Sequence, residues 1–264
     1  MHRKLLASYN ELNRHFYESL GADFSDTRNF SWQGWNQLLP FFKLAASKPL
    51  HILDLGCGNG RLLEFLQVHL SQSFDYLGLD SSKQLLSLAR AKYSQQDFQH
   101  FDLLEKYLAI GKIILPTSKK FDLIVLFGLT HHLSSSALRR QLLFDLRKSL
   151  SDGGFLIVSN WQFARERERF DKNILTGQKV WQSRQLSWLA KIKLTFLLLG
   201  LEKNDYLLDW RQGQQAGQVF RYCHFLAEEE MLELTAASGW RIATSFFADG
   251  KSSKLNQYFV LQAL

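Results

Sequence analysis

The residues whose types and spacing could do chemistry begin with Asp54-Leu-Gly-Cys-Gly-Asn-Gly60. Glycines at alternate positions let the backbone turn tightly, and a ligand can lie against it with no Cβ in the way. A dinucleotide site would space its glycines G-x-G-x-x-G. Here they are Gly56, Gly58 and Gly60, and position 61 is Arg. Two carboxylates extend the pattern. Asp80 lies 20 residues after Gly60, where an acidic side chain can accept both hydroxyls of a ribose. Asp102 closes the next strand pattern, where a carboxylate can take a hydrogen from an adenine amino group. The set points to a ligand with a nucleoside half, held on a turn unlike that of the nicotinamide enzymes.

These residues need a scaffold that presents them together, and the patterning supplies one. His51–Leu55 reads as a short buried strand running straight into the glycine turn, and Arg61–Leu70 as the helix that follows. Tyr76–Leu79 is a strand ending at Asp80. Ser81 or Ser82 caps a helix through about Tyr93, and Phe98–Phe101 is a strand ending at Asp102. Asp122–Phe127 is apolar throughout, as a strand covered on both faces should be. A helix capped within Ser134–Ser136 carries Leu138, Leu142, Leu146 and Leu150, ends at Gly153–Gly154, and leads to a strand at Phe155–Ser159. Strand and helix alternate, which predicts a parallel sheet with helices on both faces. Ligands of such sheets bind at the carboxyl ends of the strands, where all three motifs sit. Before the alternation, residues 1–47 read as a helical cap, with a break at Gly21–Asn29 and a second helix that stops or kinks near Pro40. After it, residues 161–221 read as a basic, tryptophan-rich insertion on the ligand edge. A helix over Ala227–Ser238 and an antiparallel hairpin of Trp240–Phe247 and Asn256–Leu261 complete one domain over 1–264.

Composition bounds the rest. The chain has 264 residues, long enough to bury a core without staples, and 46% apolar with 22% charged residues is ordinary for a globular protein. Cys57 and Cys223 cannot build a disulfide framework, so a reducing compartment is expected. No apolar run approaches the roughly 20 residues of a membrane span, and the opening MHRKLLASYNELNR has no signal-peptide stretch. A cytoplasmic setting without a membrane partner is expected. The formal charge is +7. Eight basic residues against three acidic ones between Trp161 and Lys193 concentrate most of it. A local positive field suits an anionic partner, although a solvated helix with RERER ion pairs would read the same. There is no C-x-x-C, H-E-x-x-H or carboxylate cluster, so no metal is expected.

The D-x-G-x-G-x-G turn resembles that of the class I S-adenosylmethionine-dependent methyltransferases. Several segments resemble a narrower family, the tRNA methyltransferases that esterify the carboxymethyl group of wobble uridine. Phe24-Ser-Asp-Thr-Arg28 with Trp32 is similar to that family's entry segment. His131-His132-Leu133-Ser134 with Arg139-Arg140 is similar to its double-histidine segment. Arg221-Tyr222-Cys223-His224-Phe225 is similar to its R-Y-Y-H-x-F segment, with Cys223 for a tyrosine, and Asp209-Trp210 stands where the family has Pro-Trp.

The resemblance implies a Rossmann-like α/β fold, with a mostly parallel seven-stranded sheet and a C-terminal antiparallel hairpin. It implies S-adenosylmethionine as cofactor, held by Asp54, Gly56, Cys57, Gly58, Gly60, Asp80, Ser81, Asp102, Leu103 and Phe127. Cys57 would act through its place in the turn rather than through its thiol. His131 and His132 would position the acceptor, and Arg28 would orient its carboxylate or meet the methionine carboxylate. Trp161, Arg165, Arg221, Tyr222 and His224 would contact the substrate. The implied partner is the anticodon loop of tRNA, with a small zinc-binding activator protein as in eukaryotic members. Two alternatives stand beside this: a methyltransferase of a small acid or other metabolite, and a non-catalytic RNA- or partner-binding module.

Overall fold

The computed structural model describes residues 3–26, 30–44, 49–165, 170–210 and 217–264. Strands β1 (Leu50–Leu55), β2 (Phe74–Asp80), β3 (Asp97–His100), β4 (Phe121–Phe127), β5 (Leu150–Trp161), β8 (Trp240–Ala248) and β9 (Asn256–Ala263) form one sheet, in the order β3-β2-β1-β4-β5-β9-β8. The first five run parallel, and β9 inserts antiparallel between β5 and β8. The chain leaves β1 for β2 on one side and returns to β4 on the other. This reversal opens a crevice at the carboxyl end of β1. A seven-stranded, mostly parallel sheet with a terminal hairpin is the architecture expected from the sequence.

Apolar side chains cover both faces. Helices α2 (Gly34–Leu44), α3 (Arg61–His69) and α4 (Lys83–Lys92) pack Trp35, Phe65 and Leu86 against one face. Helices α5 (Leu103–Ile110), α6 (Ser136–Leu146) and α9 (Glu228–Ala237) pack Leu104, Leu142 and Met231 against the other. Helix α5 falls where the sequence shows no helix pattern; Asp102 starts it by accepting the Glu105 N–H at 2.9 Å. Pro40 lies inside α2, which continues past it. Helix α6 ends at Leu146 and β5 begins at Leu150, earlier than Gly153 suggests.

Helix α1 (Arg3–Asp26) runs through Gly21 without the expected break. Gly21 lies close to α4: a Cβ would stand 2.5 Å from Oε1 at the movable end of the Gln84 side chain, and that oxygen accepts the Gly21 N–H at 3.1 Å. The buried residues Leu6, Tyr9, Asn13, Phe16 and Leu20 form one face of α1. Between β5 and α9 the chain forms α7 (Gly177–Gln182), α8 (Trp188–Leu199) and an antiparallel pair, β6 (Asp205–Asp209) and β7 (Phe220–His224). That pair and α8 bury Leu207, Tyr222 and Leu197 against Tyr9 of α1. The packing therefore brings α1, β7 and the crevice together. No helix among the described residues is long and apolar enough to cross a membrane.

Candidate active site

The glycine turn lies against β2. The Gly56 and Cys57 N–H groups donate to the Leu79 carbonyl, at 2.7 and 3.1 Å. Gly56, Gly58 and Gly60 have φ of +87°, +55° and +78°, conformations that side chains resist. A Cβ on Gly60 would also meet the Tyr93 and Phe98 rings at 3.1 Å. Asp80 braces the turn: its Oδ2 accepts the Gly58 N–H and its Oδ1 the Ser82 N–H, each at 2.8 Å. Burial raises the Asp80 pKa, while the backbone donors, Ser81 among them, oppose that rise. Three backbone donors leave the carboxylate one acceptor site for a ribose hydroxyl. Asp54 is buried and accepts the Tyr76 hydroxyl at 2.7 Å. Burial pushes its pKa up to about 7. Cys57 turns its side chain into the core, and burial pushes its thiol well above its ordinary pKa, so only its backbone faces the turn. Leu103 packs beneath the crevice, and the Phe127 ring lies 5.6 Å from Trp35 and 5.9 Å from Tyr258.

A cradle that excludes Cβ atoms, with carboxylates at two adjacent strand ends, fits a ligand with a ribose and an aminopurine. Asp102 is not bare: Asn10 of α1 donates its amide to both Asp102 oxygens, at 3.0 and 3.2 Å. Further along α1, Tyr17 reaches His132, and the Glu18 carboxylate accepts the Lys83 N–H at 2.7 Å. Helix α1 thus roofs the strand ends from β3 to the segment after β4.

That segment, Thr130–His132, is a short 3-10 turn. His132 Nδ1 lies 3.1 Å from the Tyr222 carbonyl, and its Nε2 lies 2.7 Å from the Tyr17 hydroxyl. A carbonyl only accepts, so Nδ1 carries the hydrogen and Nε2 accepts from Tyr17. Burial, with the Arg221 charge adding to it, lowers the His132 pKa to about 3. The ring is neutral and its lone pair is engaged, which suits positioning rather than proton abstraction. The His131 ring packs 4.1 Å from that of His132 and 5.6 Å from Trp161.

Arg221 completes this wall. Its guanidinium lies 4.8 Å from the Phe16 ring and 5.0 Å from the Trp161 ring, and the residue is only 8% exposed. Among the described residues it has no carboxylate partner and no hydrogen bond. A guanidinium between two aromatic faces, with no carboxylate of its own, has the chemistry to receive an anion.

Not every expected residue joins this cluster. Arg28 lies outside the described residues. Arg165 is exposed, with its guanidinium 5.0 Å from the Phe247 ring, apart from the cluster. Tyr222 and His224, expected as substrate contacts, have partners within the protein. The Tyr222 hydroxyl donates to Asp205, and its N–H donates to Asn13 at 2.7 Å. His224 sits between Asp205 at 2.7 Å and Glu230 at 2.8 Å, and Glu230 also pairs with Arg139 at 2.7 Å. Donor atoms of His131, His132 and Cys223 lie within 4.8 Å of one another. Arg221 beside them and the Nδ1–H on Tyr222 oppose a cation there, and burial pushes the Cys223 thiol up to about 11.

The His224 cluster makes a stability prediction. Burial would lower the His224 pKa, but its bonds to Asp205 and Glu230 outweigh that and raise it above the ordinary value. A raised folded-state pKa stabilises fully below the unfolded value of about 6.5 and loses the effect as pH rises through the folded value. His224→Gln should therefore cost about 3 kcal/mol at pH 6, and less at pH 9. Urea unfolding at both pH values measures this; an equal cost at both would refute the charged pairing.

Sequence patterning misses Asn10, Asn13, Tyr17 and Arg61. The first three stand at i, i+3 and i+7 of α1, a polar row whose meaning appears only when the helix docks on the crevice. Arg61 stacks under Trp32 at 5.0 Å and adds a positive charge near Asp54, and only its place beside the turn signals it.

Comparison with known proteins fits this geometry. Residues 53–156 match the family model described as a methyltransferase domain. An Encephalitozoon cuniculi protein, assigned by name to the methyltransferases, is 28% identical over 228 residues, covering 86% of each chain. The tRNA (carboxymethyluridine(34)-5-O)-methyltransferase of Arabidopsis thaliana is 28% identical over 161 residues, covering 61% of this chain. The match spans about a third of that relative's length. A SAM-dependent methyltransferase structure from Methanosarcina mazei superposes with a TM-score of 0.58 at 15% identity, covering 85% of this chain and 97% of its own.

Proposed function

We propose that this chain, a class I S-adenosylmethionine-dependent methyltransferase, methylates a carboxylate, and that the carboxylate is the carboxymethyl group of a wobble uridine in tRNA. The observation that carries this reading is Arg221, a mostly buried cation with no carboxylate partner among the described residues. The tRNA relative supports the substrate class. So do the exposed cations Arg165 and Lys172 of the insertion.

The chemistry suits the side chains. A carboxylic acid with a pKa of about 4 is ionised at neutral pH and needs no general base. That agrees with a neutral His132 whose Nε2 accepts from Tyr17. Arg221 would grip the acceptor and leave one oxygen free, because the planar guanidinium can donate to one side of a carboxylate. His131, His132 and Trp161 would shape the wall beside it. The turn at Gly56–Gly60, Asp80 and Asp102 would hold the cofactor, whose sulfonium supplies an electrophilic methyl group when bound. Helix α1, lying over the crevice, would exclude water from the closed site and so strengthen the field of Arg221 on the acceptor.

Binding to tRNA is testable apart from chemistry. Changing Arg165 and Lys172 together to Gln should weaken tRNA binding and reduce the slope of log K against log salt by about 1–2. Filter binding across a salt series measures it. An unchanged slope, with no methyl transfer to tRNA, would move the assignment to a small-molecule acid.

A further inference from the structure

Helix α8 is apolar on two opposite sides. Leu194 and Leu197 are buried and anchor it to the insertion. Trp188, Leu189, Ile192, Phe196 and Leu199 are 66%, 72%, 41%, 64% and 82% exposed. At about 100° per residue, these five occupy one arc of about 100°, roughly opposite Leu194 and Leu197. An exposed apolar patch of this kind on a globular chain marks a contact surface. Trp181 of α7 is exposed beside it, since Lys191 Nζ donates to its carbonyl at 3.1 Å.

The rim of this stripe is basic. Lys191 and Lys193 lie on its two borders, and Arg184 and Lys203 flank the helix. Leu5 packs at Gly200, which brings the exposed Arg3 and Lys4 of α1 toward the Leu199 end. Two carboxylates lie near: Glu11, 3.5 Å from Lys193 with both side chains more than half exposed, and Glu202 beyond the helix end. Charge complementarity selects the occupant. A second copy meeting this face by two-fold symmetry would set lysines against lysines. Leucine and isoleucine offer nothing to the phosphates of RNA. An anionic lipid surface satisfies both features, taking the apolar stripe at the acyl boundary and the cations among its headgroups.

We propose that α8 docks this protein flat on an anionic membrane surface, through the Trp188–Leu199 stripe and its lysine rim. The helix lies in the interface and does not span it. The full chain should float with phosphatidylcholine vesicles containing about one-third phosphatidylserine, and bind vesicles of phosphatidylcholine alone far less. Leu189→Glu with Phe196→Glu should lower the bound fraction at least about tenfold, with S-adenosylhomocysteine binding retained as evidence of folding. Lys193→Glu with Lys203→Glu leaves the apolar stripe intact and should also reduce binding to the anionic vesicles. The proposal fails if the wild-type chain stays at the bottom of the gradient with anionic vesicles, or if neither double variant changes flotation. A dimer in light scattering that the Leu189→Glu, Phe196→Glu chain disperses, without vesicle binding, would give the stripe to a second copy instead.

Discussion

Arg221→Met should abolish most methyl transfer while raising the stability of the protein. Removing one partner of a buried charge pair costs about 2–5 kcal/mol, so kcat/KM for the acceptor should fall by roughly thirty-fold to several thousand-fold. S-adenosylmethionine affinity should stay within about twofold, because no cofactor-side residue touches Arg221. Stability moves the other way. A buried guanidinium without a carboxylate is costly, and its stacking on Phe16 and Trp161 returns only about 0.5–2 kcal/mol. Methionine fills similar space at no charge cost, so the melting temperature should rise. Lysine should not restore transfer, since a point charge lacks the fork that holds one carboxylate oxygen. A variant that melts lower and still transfers methyl groups would make Arg221 a packing residue.

Asp80→Ala acts on the other half of the crevice. Its carboxylate braces the Gly58 and Ser82 N–H groups and would also accept from the ribose. Hydrogen bonds to a charged group are worth about 1.5–3 kcal/mol each, so losing one to the ribose and one that braces the turn should weaken S-adenosylhomocysteine binding by at least about a hundredfold. Asp80→Asn keeps one acceptor oxygen and should fall between the variant and the wild type. Titration calorimetry measures both. Wild-type affinity in the alanine variant would show that the ribose is held elsewhere.

What the sequence makes legible follows from where the physics is local. A buried parallel strand must be apolar and a glycine turn must carry glycines, so β1, the turn and the strand-end acids Asp80 and Asp102 are plain in the residues. Helix α1 is legible only in part, because Gly21 looks like a stop, yet the helix carries it through beside Gln84. Helix α5 hides because it is short and its cap, Asp102, already has an explanation as a ligand contact. The acceptor wall is the least legible part. Arg221, Tyr222 and His224 are neighbours in one motif, yet alternation along β7 sends Arg221 toward Phe16 and Trp161 while Tyr222 goes to Asp205. Only the docking of β7 under α1 decides which of them can meet a ligand.

Methyl label from S-adenosylmethionine, incubated with this protein and tRNA bearing carboxymethyluridine, should enter the RNA and leave it in mild alkali as methanol, because an ester hydrolyses where an N- or C-methyl group does not. Label that stays on the RNA through alkali would contradict a carboxylate acceptor.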